Sequence, residues 1–166
     1  MRATPCDACV APASAAPPAS AAALSMIPWE SPRPHVVELQ VQPADIDAYD
    51  HVNNSVYLEW LDKAAWSHSA TLGISVEQCV AIRRGMAAHR TEIDYLRAAV
   101  LGDRVQVGTW IVSTDGKLRV ERRFEVRRVD GELLARARTE YVCINLDSGR
   151  ATRMPDAFTR AYVPST

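Results

Sequence analysis

A long span without proline limits what this chain can fold into. No proline occurs between Pro43 and Pro155. Proline interrupts helices and removes a hydrogen-bond donor from sheets, so its absence indicates continuous regular structure. With 166 residues, of which 48% are hydrophobic, the chain can bury one ordinary core. We therefore predict one folded domain over residues 34–163, preceded by a tail over residues 1–33.

The start of the chain is poor in side chains that could form a core. Residues 1–25 contain ten Ala, four Pro and three Ser. Such a segment cannot offset its ordering entropy, so the tail is expected to be disordered. A signal peptide is the competing interpretation, but prolines interrupt the apolar region that it would need. We also hypothesise that Met26 is the native start, which the intact mass of the endogenous protein would test.

Charge and cysteine content exclude several classes of function. A formal net charge of −1 provides no basic field for nucleic acid, and no run of about 18 apolar residues could span a bilayer. We therefore expect a soluble protein. Cys6 and Cys9 have the spacing of redox and zinc sites but lack a second pair and a nearby His, so no metal is expected. Sparse cysteine favours a reducing compartment, the cytoplasm.

Hydrophobic spacing predicts one long helix and five strands. The helix begins at Asn53 or Asn54, continues with apolar residues at helical spacing to Leu72, and ends at Gly73. The alternating segments that predict strands are residues 35–41, 81–96, 104–112, 117–129 and 132–146, with Asp-Gly turns at 115–116 and 130–131. This pattern predicts an α+β domain in which an antiparallel sheet wraps the helix, with open edges that need a partner.

One residue does not fit the alternation of the fourth strand. Arg122 falls on the apolar side of that strand, between Val120 and Phe124. A bulge, a strand end or an interface contact would have to accommodate its charge. His68 lies in the apolar stripe of the helix, where a hydrogen-bonded core histidine is the expected role.

Two segments resemble a known family. The first is Asp45-Ile46-Asp47-Ala48-x-x-His51-Val52-Asn53-Asn54-x-x-Tyr57-Leu58-x-Trp60, followed by Gly73. It looks like the signature of hotdog-fold acyl thioesterases of the 4-hydroxybenzoyl-CoA thioesterase type. The second, Glu92-Ile93-Asp94-Tyr95-Leu96-Arg97 with Leu101-Gly102-Asp103, resembles that family's next segment. The resemblance covers roughly residues 35–162.

The resemblance implies a fold, an assembly and a reaction. The fold is the hotdog fold, with active sites formed between protomers of a homodimer or homotetramer. The reaction is hydrolysis of an acyl thioester of coenzyme A or acyl carrier protein, and Asp47 matches the catalytic aspartate. The first segment is also similar to plant-type acyl-carrier-protein thioesterases, which have an Asn between the acid and the His. In this chain Tyr49 occupies that position.

The chemistry of thioester hydrolysis can be assigned to this loop. The reaction needs a nucleophile or an activated water, and donors for the carbonyl oxygen as it becomes negative. Asp47 would either attack the carbonyl or act as general base on water. Backbone N–H groups around Val52 to Val56, at the start of the helix, would bind the oxyanion. No metal or organic cofactor is required.

The remaining residues of the stretch have both functional and structural interpretations. His51 could carry protons near neutral pH or could hold the loop by packing and hydrogen bonding. Asp45 and Asp50 favour structural roles, since short acids stabilise turns and helix N-termini. The candidate substrate-binding residues are Tyr49, Val52, Asn53, Asn54, Tyr57 and Glu59. Capping and core packing explain Asn54 and Tyr57 equally well.

Two other function classes fit a hotdog fold. A non-catalytic acyl-CoA-binding module would bind its ligand without turnover, because one fold can host both sensors and enzymes. A hotdog hydratase is disfavoured, since such enzymes resemble one another in an Asp-x-Asn-Pro-x-His run that this chain lacks.

Overall fold

The computed structural model describes residues 29–165. The predictions for residues 1–28, which are the disorder, the Cys6–Cys9 pair and the start at Met26, lie outside the described residues. The strands are β1 His35–Gln40, β2 Arg84–Tyr95, β3 Arg104–Thr114, β4 Arg119–Arg128 and β5 Leu133–Asn145. The helices are α1 Asn54–Thr71, α2 Val76–Ala81 and α3 Asp156–Ala161. A 3₁₀ turn, Pro43–Asp45, follows β1.

The strands form one antiparallel sheet in the order β1-β3-β4-β5-β2, which places β1 and β2 at its edges. The two predicted Asp-Gly turns join β3 to β4 and β4 to β5, with Gly116 at φ 65° and Gly131 at φ 98°. One face of the sheet packs against the apolar side of α1, and this contact forms the main core. The predicted α+β architecture with one long helix is confirmed.

Two short helices were not predicted. α2 ends at Ala81, the first residue of the segment assigned to the second strand, and β2 begins only at Arg84. Ser75 and Gln78 explain the difference, because their side chains form a reciprocal capping box at the start of α2. α3 packs Phe158 into a second apolar cluster, beyond the C-terminal end of α1. In the described residues no helix is long and apolar enough to cross a membrane.

Residues immediately before β1 pack on the sheet face that points away from α1. The Trp29 ring lies over Gly108 of β3, and the Arg127 guanidinium stacks on it with its carbon 5.6 Å from the ring centroid. Glu30 forms an ion pair with Arg123 of β4. Within the described residues, Trp29 and Glu30 thus contact the sheet from positions that precede residue 34.

Gly108 is the position where this contact needs a glycine. A Cβ atom there would come within 2.5 Å of the Trp29 ring. We expect Gly108→Ala to lower the free energy of unfolding by about 1–3 kcal/mol, since the ring must be displaced. In a Trp29→Ala background the same change should instead stabilise by about 0.5–1 kcal/mol, because alanine is otherwise favoured over glycine in a strand. Urea unfolding of the four proteins measures this coupling. Equal effects in both backgrounds would contradict the contact.

Arg122 points toward α1 and is 3% exposed. Its Nη1 donates to His68 Nδ1 at 2.7 Å, and its Nη2 donates to Ser69 Oγ at 3.4 Å. A bulge in β3, between Ile111 and Ser113, lies beside Arg122, and the C-terminal half of α1 supplies its hydrogen-bond partners. The His68 ring also stacks on His35, with centroids 5.2 Å apart.

Burial, together with Arg122, lowers the pKa of His68 to about 4 from the usual 6.5. The folded protein therefore keeps this ring neutral at pH values where the unfolded chain protonates it. This contribution to stability is complete above pH 6.5 and is lost as the pH falls toward 4. The free energy of unfolding should decrease over that window, by at most about 1.4 kcal/mol per pH unit for one proton.

His68→Asn should remove this part of the pH dependence. The asparagine amide oxygen can still accept from Arg122, but it does not titrate. Urea unfolding at several pH values between 4 and 7 compares the slopes of the two proteins. Identical slopes would show that His68 does not titrate differently on folding.

Candidate functional site

The loop between β1 and α1 is held by backbone hydrogen bonds. Asp47 N–H donates to the His51 carbonyl at 2.8 Å, and Ile46 and Val52 form an antiparallel bridge. Asp50 closes the turn at φ 59°, a conformation that aspartate tolerates better than most residues. Val52 N–H donates to the Ala99 carbonyl at 2.9 Å, which ties the loop to the segment that follows β2. The position of Asp47 is therefore set by main-chain contacts.

The two acids of the Asp-x-Asp pair have different environments. Asp47 Oδ1 accepts the Tyr49 N–H at 2.8 Å, and the side chain borders an open cavity. Asp45 Oδ2 accepts the Gln42 N–H at 2.8 Å and stabilises the 3₁₀ turn. The hydrogen bond of Asp45 corresponds to the structural role expected for it. Of the two acids, only Asp47 borders this cavity.

The start of α1 leaves one backbone donor free. Asn53 is the N-cap, and its Oδ1 accepts the Ser55 N–H at 2.9 Å. The N–H groups of Val52, Asn53 and Val56 donate to the carbonyls of Ala99, Asp45 and Asn53. Within residues 29–165, only the Asn54 N–H of this group lacks an acceptor. The predicted donors from Val52 to Val56 are corrected to this one group, which lies at the positive end of the helix dipole.

Asp47 and the start of α1 border one cavity of about 370 Å³. Its lining residues are Asp47, Tyr49, His51, Val52, Asn54, Tyr57, Tyr95, Leu96, Arg97 and Ala98. Six of the eight residues predicted for the site are thus brought together. Asn53 acts as the helix cap instead, and Glu59 is an exposed residue of α1 that does not border this cavity.

His51 and Tyr49 reach the cavity from its exposed rim. The His51 ring forms no hydrogen bond with the described residues, whereas its carbonyl accepts from Asp47. Tyr49, the residue that departs from the plant-type pattern, is 82% exposed. His51 is therefore a loop-forming residue whose ring remains available to solvent and to a ligand.

Tyr57 forms the floor of the cavity. It is 2% exposed, and its hydroxyl oxygen accepts the Ala99 N–H at 3.0 Å. Burial raises the pKa of Tyr57 above its usual value, so the hydroxyl stays protonated. Its ring meets Tyr95 edge-on, with centroids 5.2 Å apart, and the Tyr95 hydroxyl donates to the Asn54 carbonyl at 3.1 Å. Tyr57 and Tyr95 thereby hold α1 against the end of β2.

The segment from Tyr95 to Ala98 was not predicted to belong to the site. It follows β2, an edge strand, and forms the wall opposite Asp47. The sequence offered one signal, because Tyr95, Leu96 and Arg97 belong to the second family-like segment. Spacing alone could not place that segment beside a loop more than forty residues earlier.

Comparisons with known proteins bear on the fold and the family of this chain. The family model described as "Thioesterase-like superfamily" matches residues 41–162. The long-chain acyl-CoA thioesterase FadM of Escherichia coli is 28% identical over 114 residues, which are 69% of this chain and 86% of that protein. The crystal structure of Slr0204, a 1,4-dihydroxy-2-naphthoyl-CoA thioesterase from Synechocystis, is 25% identical with a TM-score of 0.71, over 78% of this chain and 96% of that one.

A third comparison supports the fold alone. SAV2348 from Staphylococcus aureus, crystallised in complex with CoA, is 19% identical with a TM-score of 0.72, over 78% of this chain and 81% of that one. Together with the sheet order and α1, these likenesses confirm the hotdog fold. Since the family model spans most of the described residues, the chain belongs to the thioesterase-like superfamily.

Proposed function

We propose that this protein hydrolyses acyl-CoA thioesters to a free acid and coenzyme A. The observation that carries the proposal is the pairing of Asp47 with the free Asn54 N–H on one cavity. A carboxylate and a helix N-terminal donor are the two groups that acyl transfer requires. Membership of the thioesterase-like superfamily and the name of the FadM relative support the same reaction.

The carbonyl oxygen of the thioester would accept the Asn54 N–H. An oxygen, either from Asp47 or from a water activated by Asp47, forms a bond to the acyl carbon. The bond from that carbon to sulfur then breaks, and the thiolate of coenzyme A takes up a proton. If Asp47 attacks directly, water next cleaves the mixed anhydride and restores the carboxylate. Either route consumes one water per thioester.

The other cavity residues have supporting roles in this proposal. His51 lies at the rim, where its ring could pass a proton to the departing thiolate. Tyr49, Val52 and Tyr57 provide the apolar and aromatic walls that contact the substrate near its thioester. Asn53 acts indirectly, because its cap sets the direction of the Asn54 N–H. Glu59 is not included, since it does not border the cavity.

We propose a homodimer as the active assembly. The cavity opens beside the end of β2, a strand with one edge unpaired within the described residues. Tyr95 and Leu96, at that end, are 43% and 44% exposed. A second copy pairing along β2 would cover these side chains and enclose the cavity. Sedimentation of the purified protein measures the assembly, and a monomer with full activity would contradict this arrangement.

Thiol release from a panel of short, medium, long and aromatic acyl-CoAs tests the function. Release from at least one acyl-CoA, with saturation kinetics, is the expected result. An acyl-carrier-protein thioester with the same acyl group identifies the carrier. Saturable binding without release would indicate an acyl-CoA-binding module instead.

A further inference from the structure

A second cavity lies near the C-terminal half of α1, away from Asp47. It encloses about 40 Å³. For comparison, one water molecule takes up about 30 Å³ in the liquid. Its walls include Asp62, Trp66, Met86 and Arg122. The chemistry at Asp47 uses none of these residues.

Arg122 brings a buried positive charge to this cavity without an acidic partner. Its guanidinium has five N–H donors, and the two hydrogen bonds that it forms go to His68 and Ser69, which are both neutral. It forms no ion pair with a carboxylate in residues 29–165. A buried cation without a counterion is destabilising, so an anion that entered the cavity would be bound strongly.

Asp62 does not act as the counterion of Arg122. Its side chain borders the cavity but is exposed, and it lies beyond ion-pair distance of the guanidinium. Burial of part of the side chain raises the pKa of Asp62, which is opposite to the effect of a close guanidinium. The Arg122 donors are therefore not occupied by the Asp62 carboxylate, although that group borders the same cavity.

An open flank of α1 connects the two cavities. One side of α1 is exposed at Asn54, Leu58, Asp62 and Trp66. Asn54 borders the Asp47 cavity, Asp62 and Trp66 border the Arg122 cavity, and Leu58 lies between them, since residues four apart share a helix face. Leu58 and Trp66 are 47% and 37% exposed. A path of about 18 Å therefore runs from Asn54 to Trp66, at 1.5 Å per residue, and Leu58 and Trp66 are its apolar side chains.

We propose that the Arg122 cavity binds a carboxylate at the distal end of the acyl group, so that the preferred substrates are CoA thioesters of long-chain dicarboxylic acids. This inference rests on the thioesterase function proposed above. With the thioester at Asp47, the hydrocarbon chain would lie along Leu58 and Trp66. Its terminal carboxylate would accept hydrogen bonds from the unused donors of Arg122. The cavity has the size of such a head group, and a chain without one would leave the guanidinium unpaired.

Matched pairs of substrates test this proposal. Palmitoyl-CoA and hexadecanedioyl-CoA differ only at the distal end, as do myristoyl-CoA and tetradecanedioyl-CoA. We expect kcat/KM to be at least about tenfold higher for the dicarboxylic member of a pair, because a buried charge pair is formed. Arg122→Met should reduce this ratio by a similar factor. Equal rates for both members in the unmodified protein would overturn the proposal.

Two further variants control for non-specific effects. Arg123→Met removes the same charge from the neighbouring residue, which points to the opposite face of the sheet and pairs with Glu30. The substrate ratio should not change in that variant. Asp62→Asn should keep or increase the ratio, and a loss of preference there would show that Asp62 makes the selection.

A binding measurement separates this proposal from the proposed function. In the Asp47→Asn background, dissociation constants for hexadecanedioyl-CoA and palmitoyl-CoA do not depend on turnover. Tighter binding of the dicarboxylic thioester supports the Arg122 site even if no acyl-CoA is hydrolysed, and equal affinities overturn it. Thiol release without a preference for the distal carboxylate would support the proposed thioesterase function and overturn the proposed Arg122 site.

Arg122→Lys is the alternative variant if Arg122→Met does not fold. Lysine keeps the charge but lacks the planar guanidinium, so the ratio of kcat/KM values for the two substrates should be intermediate.

Discussion

Asp47→Asn is expected to lower kcat for thioester hydrolysis by a factor on the order of 10²–10⁴, the range for losing a positioned general base. The amide can neither attack the acyl carbon nor accept a proton from water. The asparagine Oδ1 can still accept the Tyr49 N–H, which is the hydrogen bond that Asp47 Oδ1 forms at 2.8 Å. The loop should therefore keep its conformation, and KM should change little. Initial rates of thiol release on the best acyl-CoA of the panel measure both parameters.

Asp45→Asn is the matched control for this experiment. It makes the same chemical change two residues earlier, at an acid whose Oδ2 accepts the Gln42 N–H. An asparagine oxygen can replace that acceptor, so kcat should stay within a few-fold of the original value. A similar loss of activity in both variants would show that the loop was disturbed. Normal turnover in Asp47→Asn would remove Asp47 from the mechanism.

The elements of the fold could be predicted because their patterns are local. The alternation of β3, β4 and β5 and the helical spacing of α1 follow from which face each residue buries. Residues 76–80 were assigned to no helix or strand, yet the Ser75–Gln78 capping box begins a helix there. That signal was present in the sequence. Short apolar runs remain ambiguous when a cap is overlooked.

The parts of the site that depend on distant segments could not be predicted. The position of Tyr95 opposite Asn54 results from the placement of β2 at the sheet edge, which no local pattern specifies. The partners of Arg122 lie more than fifty residues earlier in the chain. The contact of Trp29 with Gly108 likewise joins the start of the domain to its third strand. In each case the sequence showed the chemical type of the residue but not which distant residue it contacts.

The free N–H at the start of α1 permits a second test of the mechanism, at the level of one atom. Asn54 is the first residue of the helix, a position that proline favours because its fixed φ fits and its missing N–H is not needed for the helix. The preceding residue, Asn53, has φ −57° and ψ 137°, which is a conformation compatible with a following proline. Asn54→Pro should therefore remove the proposed oxyanion donor and leave α1 intact.

We expect Asn54→Pro to lower kcat by a factor on the order of 10²–10³, as for the loss of one oxyanion-hole donor. Asn54→Ala is its control, because alanine keeps the backbone N–H and loses only the side chain. That variant should retain most of its kcat. If the Asn54 side chain contacts the substrate, losing that contact would raise KM. Thermal unfolding should give similar midpoints for both variants, since the Asn53 cap is unchanged. If proline and alanine reduce kcat equally, the Asn54 N–H does not stabilise the transition state.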